Sequence, residues 1–388
     1  MQNKKVAIIG AGPIGLTMAR LLQQNHIDVT VYERDKNPQA RIWGGKLDLH
    51  ESSGQEAMKK AGLLENYFEK AKPIGRTLAN EQGKVFFSKE PEMRSPEINR
   101  NNLRTLLLDS LKSDTVIWDR KFTGIEAQDG KWLLHFQNEM NTTADFVIGA
   151  NGGMSNARKY ITDTEVEYTG AYIIQGEVVH PEINCAAFFN LCNDNILMSS
   201  CNGLNLVANP NNNGALAYGV SFIKSEKWVK ENGLDFKNTE SIITFLCDMF
   251  ADWDEIFRKL FCVTTSFEGL PARLLPLDKP WKSNRPLPIT LIGDAAHLMP
   301  PFAGEGVNTG LMDAIVLSEN LLNGKFKTIE EAIKDYEKEM FVYGKEVQLQ
   351  TSKNEIEMHQ PDFLSKKDLA INNNKMNTTL WRDNIHDP

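Results

Sequence analysis

Three stretches of this 388-residue chain bring glycines, carboxylates and prolines together at spacings that could do chemistry. The first is Gly10-Ala11-Gly12-Pro13-Ile14-Gly15. Gly10 permits the tight turn after a strand, Gly12 lets a pyrophosphate approach the backbone, and Gly15 lets helix and strand pack closely. Free N–H groups and the positive end of a helix dipole would meet the phosphates there. Glu33 follows at the end of the next strand, where a carboxylate accepts both hydroxyl hydrogens of an adenosine ribose. A glycine-rich turn beside a solvated acid would use the same letters. The strand before, the helix after and the position of the acid favour a bound dinucleotide.

The second stretch runs from Asp145 to Arg158 and ends a strand in Asn151-Gly152-Gly153, with Ser155 following. The third runs from Gly293 to Asp313. In it Asp294 closes a strand and can accept hydrogen bonds from a ribityl chain. Pro300 and Pro301 are expected to enforce an extended segment suited to lying beside a planar ring. Gly304 and Gly306 allow close backbone approach at the start of a helix from about Asn308 to Leu322, whose dipole would stabilise negative charge on a reduced flavin. His297 reads as a helix-entry or packing residue and is left out of catalysis. The third stretch closely resembles the FAD-binding motif of class A flavoprotein monooxygenases. The second resembles the Asp-Gly motif of the aromatic hydroxylases among them, with Asn151 where Asp is usual, which keeps an acceptor but loses a charge. The segment Ala40–Asp48 and the helix opened by Arg100 and Arg104 fit the same family, in which an arginine of that helix faces the FAD; Arg104 is the choice here. The resemblance thus implies a cofactor set of Gly10, Gly12, Gly15, Glu33, Arg34, Asp48, Arg104, Asp294, Pro301, Gly304, Gly306 and Asn308.

The elements that must hold these residues follow from hydrophobic period. Residues 5–9 read as a strand, 14–25 as a helix and 28–32 as a second strand, a β-α-β unit of about thirty residues. Further strands are expected at 115–118, 132–136, 145–149 and 288–293. Between roughly 169 and 265 the texture changes to alternating strands, such as 171–178 and 216–223, among Asn- and Gly-rich turns, as in an antiparallel sheet. A helix at about 328–350 carries Ile329, Ile333, Tyr336, Met340, Tyr343 and Val347 on one face. The expected architecture is an α/β, Rossmann-like FAD-binding domain (1–70, 91–168 and 266–325) with an inserted antiparallel-sheet substrate domain (71–90 and 169–265). A bridging C-terminal helix (326–355) and a polar tail (365–388) complete it.

Composition bounds the rest. The net charge of −8 gives no electrostatic case for nucleic-acid binding, and no apolar run reaches the roughly 20 residues of a membrane span. Cys185, Cys192, Cys201, Cys247 and Cys262 include no CxxC pair, which argues against a zinc site or disulfide framework and for a reducing compartment, the cytoplasm by default. A monomer is expected.

Over nearly its whole length the chain resembles the tetracycline-inactivating flavin monooxygenases, in segments such as GGKLDLH, EINRNNLR, ANGGMS and LIGDAAHLMPPFAGEGVN. The resemblance implies FAD, transient reduction by NADPH or NADH, addition of O2 to the reduced flavin, and hydroxylation of a polycyclic enol or phenol by the C4a-hydroperoxide. It places Gln175, Met198, Asn209, Ala217, Gly219 and Phe302 at the substrate, with Pro301 and Gly304 beside them. Gln175 and Asn209 could equally be satisfied polar groups of the sheet. Four positions depart from the family: Ala217 stands for a substrate-gripping His, Ile196 for an Arg, and Val207 and Ser365 for Phe. Losing one such polar contact typically costs about 1.5–3 kcal/mol, so a monooxygenase of the same type acting on another aromatic compound, or a non-catalytic FAD- and ligand-binding protein, stands as the alternative. A flavin halogenase would carry a Trp-x-Trp-x-Ile-Pro signature, which the chain lacks.

Overall fold

The run Val6–Ile9 is almost wholly apolar because the strand it forms is covered on both faces. In the computed structural model, which describes residues 3–40, 45–138, 140–364 and 366, that strand is the middle of a parallel sheet. Its strands are β1 (Lys5–Ile9), β2 (Asp28–Tyr32), β7 (Val116–Ile117), β11 (Phe146–Gly149) and β17 (Ile289–Leu291), in the order β17-β11-β1-β2-β7. Helix α1 (Pro13–Gln24) connects β1 to β2, starting on a proline whose missing N–H costs nothing in the first turn. The expected strand at 288–293 ends at Leu291, because Gly293 turns the chain at φ +63°. Two small antiparallel sheets flank this body: β3 (Lys46–Asp48) with β6 (Glu97–Asn99), and β8 (Phe122–Gln128), β9 (Lys131–Phe136) and β10 (Thr142–Ala144).

The inserted sheet has seven strands. They are β4 (Arg76–Ala79), β5 (Val85–Lys89), β12 (Glu167–Val179), β13 (Ile196–Cys201), β14 (Leu204–Asn212), β15 (Ala215–Ile223) and β16 (Ser266–Leu274), ordered β16-β12-β15-β14-β13-β4-β5. Every neighbouring pair is antiparallel except β13 with β4, which run parallel. Strand β4 reaches the sheet from far upstream, and a connection that long can enter in either sense, unlike a hairpin. Alternation sorts the faces. Ile174, Val178, Leu206, Leu216 and Val220 point to one side and pack on helices α3 (Thr239–Met249) and α4 (Glu255–Cys262). There Phe257, Leu260 and Phe261 are fully buried, each contributing about 1.5–3 kcal/mol of burial.

Helix α2 (Arg100–Asp109) starts at Asn99, whose side chain accepts the Asn101 and Asn102 N–H groups. Helix α5 (Gly306–Leu322) packs on α1, and α6 (Ile329–Met358) packs on α5. The apolar face expected for α6 is buried at Ile333, Tyr336, Met340 and Val347, and it continues through Thr351 and Met358, so the helix runs past the expected end. Among the described residues no helix is long and apolar enough to cross a membrane.

One buried polar knot ties the β17 turn to α5 and α6. Asp313 accepts the Gly293 N–H at 2.6 Å, His297 Nε2–H at 2.6 Å and the Tyr343 hydroxyl at 2.6 Å, and Asp313 and His297 are fully buried. Burial by itself would lower the His297 pKa, but the charge and hydrogen bond of Asp313, with Asp294 beyond, raise it. A raised folded-state pKa contributes stability in full below the unfolded value, about 6.5, and that contribution is lost as pH rises through the folded value. Asp313→Asn is therefore expected to cost about 3–5 kcal/mol in urea unfolding, as for a buried pair losing one partner. The variant should also lose the high-pH decline in stability that the ion pair produces in the wild type.

Candidate functional site

Three backbones meet at the end of β1. Gly10 sits at φ +110°, where a Cβ would lie 2.6 Å from the Ala150 carbonyl oxygen, and a Cβ on Gly15 would lie 2.2 Å from Gly10 O. Gly12 differs from both: at φ −77° it caps α1 with no side-chain hydrogen bond, and a Cβ there would meet nothing within 4 Å. The amino end of α1 thus opens onto a cradle with room for an anion against bare backbone, the fit a pyrophosphate needs. Glu33 lies beside it, buried, with one carboxylate oxygen accepting Ala11 N–H at 2.6 Å and the other Asp35 N–H at 3.0 Å. Each oxygen keeps a lone pair for a hydroxyl donor. Arg34 is exposed.

Arg104, buried, fastens this loop from α2. It donates to the carbonyls of Ala11 at 3.2 Å and Ala40 at 3.1 Å, pairs with Asp35 at 2.8 Å, and its guanidinium stacks 5.2 Å over the Trp118 ring. One turn earlier, Arg100 donates to Gly45 O at 3.1 Å; burial lowers its pKa and the charge of Asp294 opposes that. Arg41, Ile42, Trp43 and Gly44, quoted above for their resemblance, lie outside the described residues, as does Ser365.

Asp294 stands just after Gly293 and is exposed. The protein packed about it raises its pKa by desolvation, against the charges of His297, Arg100 and Arg158. Arg158 clamps two motifs together, donating to Gly153 O at 2.8 Å, Asp294 O at 3.0 Å and Ala295 O at 3.0 Å. Burial brings its pKa down to about 10, with Asp294 opposing. Asn151, at the family's Asp position, accepts the Ser155 hydroxyl and donates to Asn156. The prolines differ from expectation. Pro300 is extended, but Pro301–Ala303 form a 3-10 turn ending at Gly304 (φ +71°), since the fixed proline φ suits that turn as well as an extended chain. Gly306 begins α5. Asn308, fully buried, accepts His50 N–H at 2.9 Å and donates to Asp48 O at 3.1 Å, so it sets the path of the Asp48–His50 segment. Beside it His50 lies 3.3 Å from Glu305 and 3.7 Å from Asp48.

The second face of the seven-stranded sheet looks onto a cavity of about 380 Å³, within the usual range for small-molecule sites. Gln175, Met198, Asn209, Ala217, Gly219 and Phe302 all line it, as do Pro301, Gly304, Asp48, Ile196 and Val207. Register explains the convergence: Gln175, Gly219, Val207 and Met198 are successive cross-strand partners, and Glu177, Ala217 and Asn209 form the next row. The turn Pro301–Ala303 faces this wall, and Met358 joins the lining from the end of α6. Sequence reading had missed the charged floor. Glu97, buried, pairs with Arg76 at 3.2 Å and accepts the Asn209 amide at 3.0 Å. Lys46 lines the cavity too, its pKa lowered by burial against the pull of Glu97. These residues come from β3, β4, β6 and β14, and no spacing in the chain links them.

Comparison with known proteins agrees with this cradle. The family described as FAD binding domain matches residues 3–183 and 278–347. Monooxygenase penA of Penicillium thymicola is 28% identical over 367 residues, covering 82% of this chain and 84% of its own. Kynurenine 3-monooxygenase of Drosophila willistoni is 26% identical over 355 residues, covering 86% and 75%. Among solved structures, tetracycline destructase Tet(55) superposes with a TM-score of 0.76 over 96% of this chain and 94% of its own; at 19% identity this is a likeness of fold.

Substitutions at the cradle separate folding from flavin binding. Gly12→Val should fold, because its side chain enters open space at an ordinary φ, yet it should retain roughly tenfold less flavin or lower, a loss of about 1.4 kcal/mol or more. Gly15→Val should fail to fold, since its Cβ collides with backbone. Asp294→Ala should fold and also lose flavin. Absorbance of flavin per protein after gel filtration reads all three, and full occupancy in both Gly12→Val and Asp294→Ala would contradict the assignment.

Proposed function

The chain belongs to the FAD binding domain family, and from that premise we propose that this FAD-dependent monooxygenase hydroxylates a polycyclic enol or phenol, tetracyclines foremost, held between the inserted sheet and the Pro301–Gly304 turn. The observation that carries the reading is the convergence of Gln175, Met198, Asn209, Ala217, Gly219, Pro301, Phe302 and Gly304 on one cavity.

The cofactor, reduced by NAD(P)H, supplies the activation of dioxygen. The chain supplies the rest. The Gly10–Gly15 loop and the start of α1 take the pyrophosphate, Glu33 the adenosine ribose and Asp294 the ribityl hydroxyls. The amino end of the 17-residue helix α5 favours negative charge near Gly306. Phe302, Met198 and Val207 exclude water from the substrate, and Gln175 and Asn209 orient it. A ligand held by few contacts samples the reactive pose less often. The apolar Ala217 and Ile196 give little polar grip at the middle of the wall, and this favours a second reading, in which a smaller aromatic compound is the substrate. Kynurenine 3-monooxygenase, a relative by sequence, carries such a substrate in its name.

Denatured protein should release FAD rather than FMN, because Glu33 is placed for a ribose that FMN lacks. Incubation with tetracycline, NADPH and air, read by mass spectrometry, should add one oxygen atom to the drug. Ala217→His combined with Ile196→Arg should raise the ratio of product to hydrogen peroxide without changing flavin reduction in the absence of drug. Turnover of kynurenine and none of tetracycline would establish the second reading instead.

A further inference from the structure

The cavity wall has a third row of cross-strand partners. Ser221 on β15 faces Ile173 on β12 and Asn205 on β14, and Asn205 faces Ser200 on β13. Ile173 and Ser221 line the cavity, and partners in one row share one face of a sheet, so Asn205 and Ser200 stand on that same face just beyond the lining. This row is polar and enclosed: Ser221 is 7% exposed, Asn205 2% and Ser200 8%. Among the described residues the Asn205 amide nitrogen and the Ser200 hydroxyl have no hydrogen-bond partner. A buried polar group left without a partner is costly, and two in one row mark a place that a ligand can complete. The segment after α6 covers it, with Pro361 O accepting Asn202 N–H at 3.2 Å.

Chemistry fixes what would complete it. His359 Nδ1 lies 2.7 Å from the Glu355 carbonyl, which can only accept, so Nδ1 carries the proton and Nε2 is an acceptor. Ser221 Oγ, 3.2 Å from that Nε2, must donate to it, and toward the row it can therefore only accept. Burial lowers the His359 pKa, which keeps the ring in this neutral form at pH 7. The row thus presents a donor at Asn205, an acceptor at Ser221 and a hydroxyl of either sense at Ser200. A neutral hydroxyl, which gives one hydrogen bond and takes others, matches all three, whereas a carboxylate has no proton for Ser221.

We propose that Ser200, Asn205 and Ser221, capped by His359, form a second recognition site that takes a neutral hydroxyl at the far end of the substrate. Ser221 and Ala217 are four positions apart on β15, about 13 Å along an extended strand. The Ala217 row lies beside the charged group of Glu97 and Arg76. The ligand is then a long flat molecule, polar at both ends, which narrows the substrate class and rests on the reading of this cavity as the substrate site.

The test uses FAD-loaded protein and three linear ring probes, with binding read by equilibrium dialysis so that turnover is not needed. The probes are 2-hydroxyanthraquinone, 2,6-dihydroxyanthraquinone and 6-hydroxyanthraquinone-2-carboxylate. The dihydroxy probe should bind roughly three- to tenfold more tightly than the monohydroxy one, as one added neutral hydrogen bond allows. The carboxylate, with its hydroxyl in the row and its charge toward Arg76, should lose affinity in Ser221→Ala and Asn205→Leu as the dihydroxy probe does. Ser221→Ala and Asn205→Leu, checked for folding by thermal melting and for flavin content, should each erase the preference. Equal binding of both hydroxy probes by the wild type, an unchanged preference in the variants, or no binding at all would overturn the site. A hydroxyl preference in a protein that oxidises neither NADPH nor any ring compound would leave the site standing and overturn the monooxygenase reading.

Discussion

The cofactor cradle depends on how closely three stretches of backbone approach at Gly10, Gly15 and Ala150. A Cβ on Gly15 would stand 2.2 Å from Gly10 O, and one on Gly10 would stand 2.6 Å from Ala150 O, so no residue with a side chain fits without moving a strand. That contact sets the direction of α1 and the place of its amino end. The Gly10 N–H then donates to Tyr32 O at 2.9 Å, which brings the end of β2 close enough for Glu33 to reach Ala11. Arg104 and Arg158 tie the surrounding loops to this point, each by three bonds to neighbouring segments.

Most of the cradle was legible because its signals are local. Glycine spacing, a strand before and a helix after occupy one short β-α-β unit, and the turn at Gly293 with Asp294 lies within a single motif. The cavity positions were legible only through resemblance, and the register of the sheet explains why Gln175, Gly219, Val207 and Met198 share a wall. What stayed hidden is what register alone assembles. Glu97, Arg76 and Asn209 meet from β6, β4 and β14, and Ser200, Asn205 and Ser221 from β13, β14 and β15, with nothing in their spacing to announce it. The parallel entry of β4 was equally hidden, since Arg76–Ala79 is a four-residue strand without a period to read. At Pro301 the local rule itself was ambiguous: a fixed φ fits both an extended chain and a 3-10 turn.

The two halves of the site use different materials. The cradle is built chiefly of backbone, at glycines and helix ends, where geometry excludes a side chain at Gly10 and Gly15. The cavity is lined by side chains on alternate positions of four strands, where Ala217, Ile196 and Val207 can change without disturbing the sheet's other face. Relatives by sequence whose names give different substrates, kynurenine and 6-hydroxynicotinate, fit that division.

The parallel pairing of β4 with β13 also bears on how the chain acquires its structure. Strands β4 and β5 form an antiparallel hairpin early in the sequence, but the other side of β4 pairs with Ile196–Ser199. A ribosome adds about 5–20 residues per second, so the hairpin waits several seconds or longer, with Leu78 and Ala79 uncovered, before its partner strand exists. Contacts of such sequence separation slow folding, and an unpaired edge invites pairing with other chains. During synthesis the hairpin therefore presents an unpaired edge, and slowing translation downstream of Lys89 would lengthen that exposure.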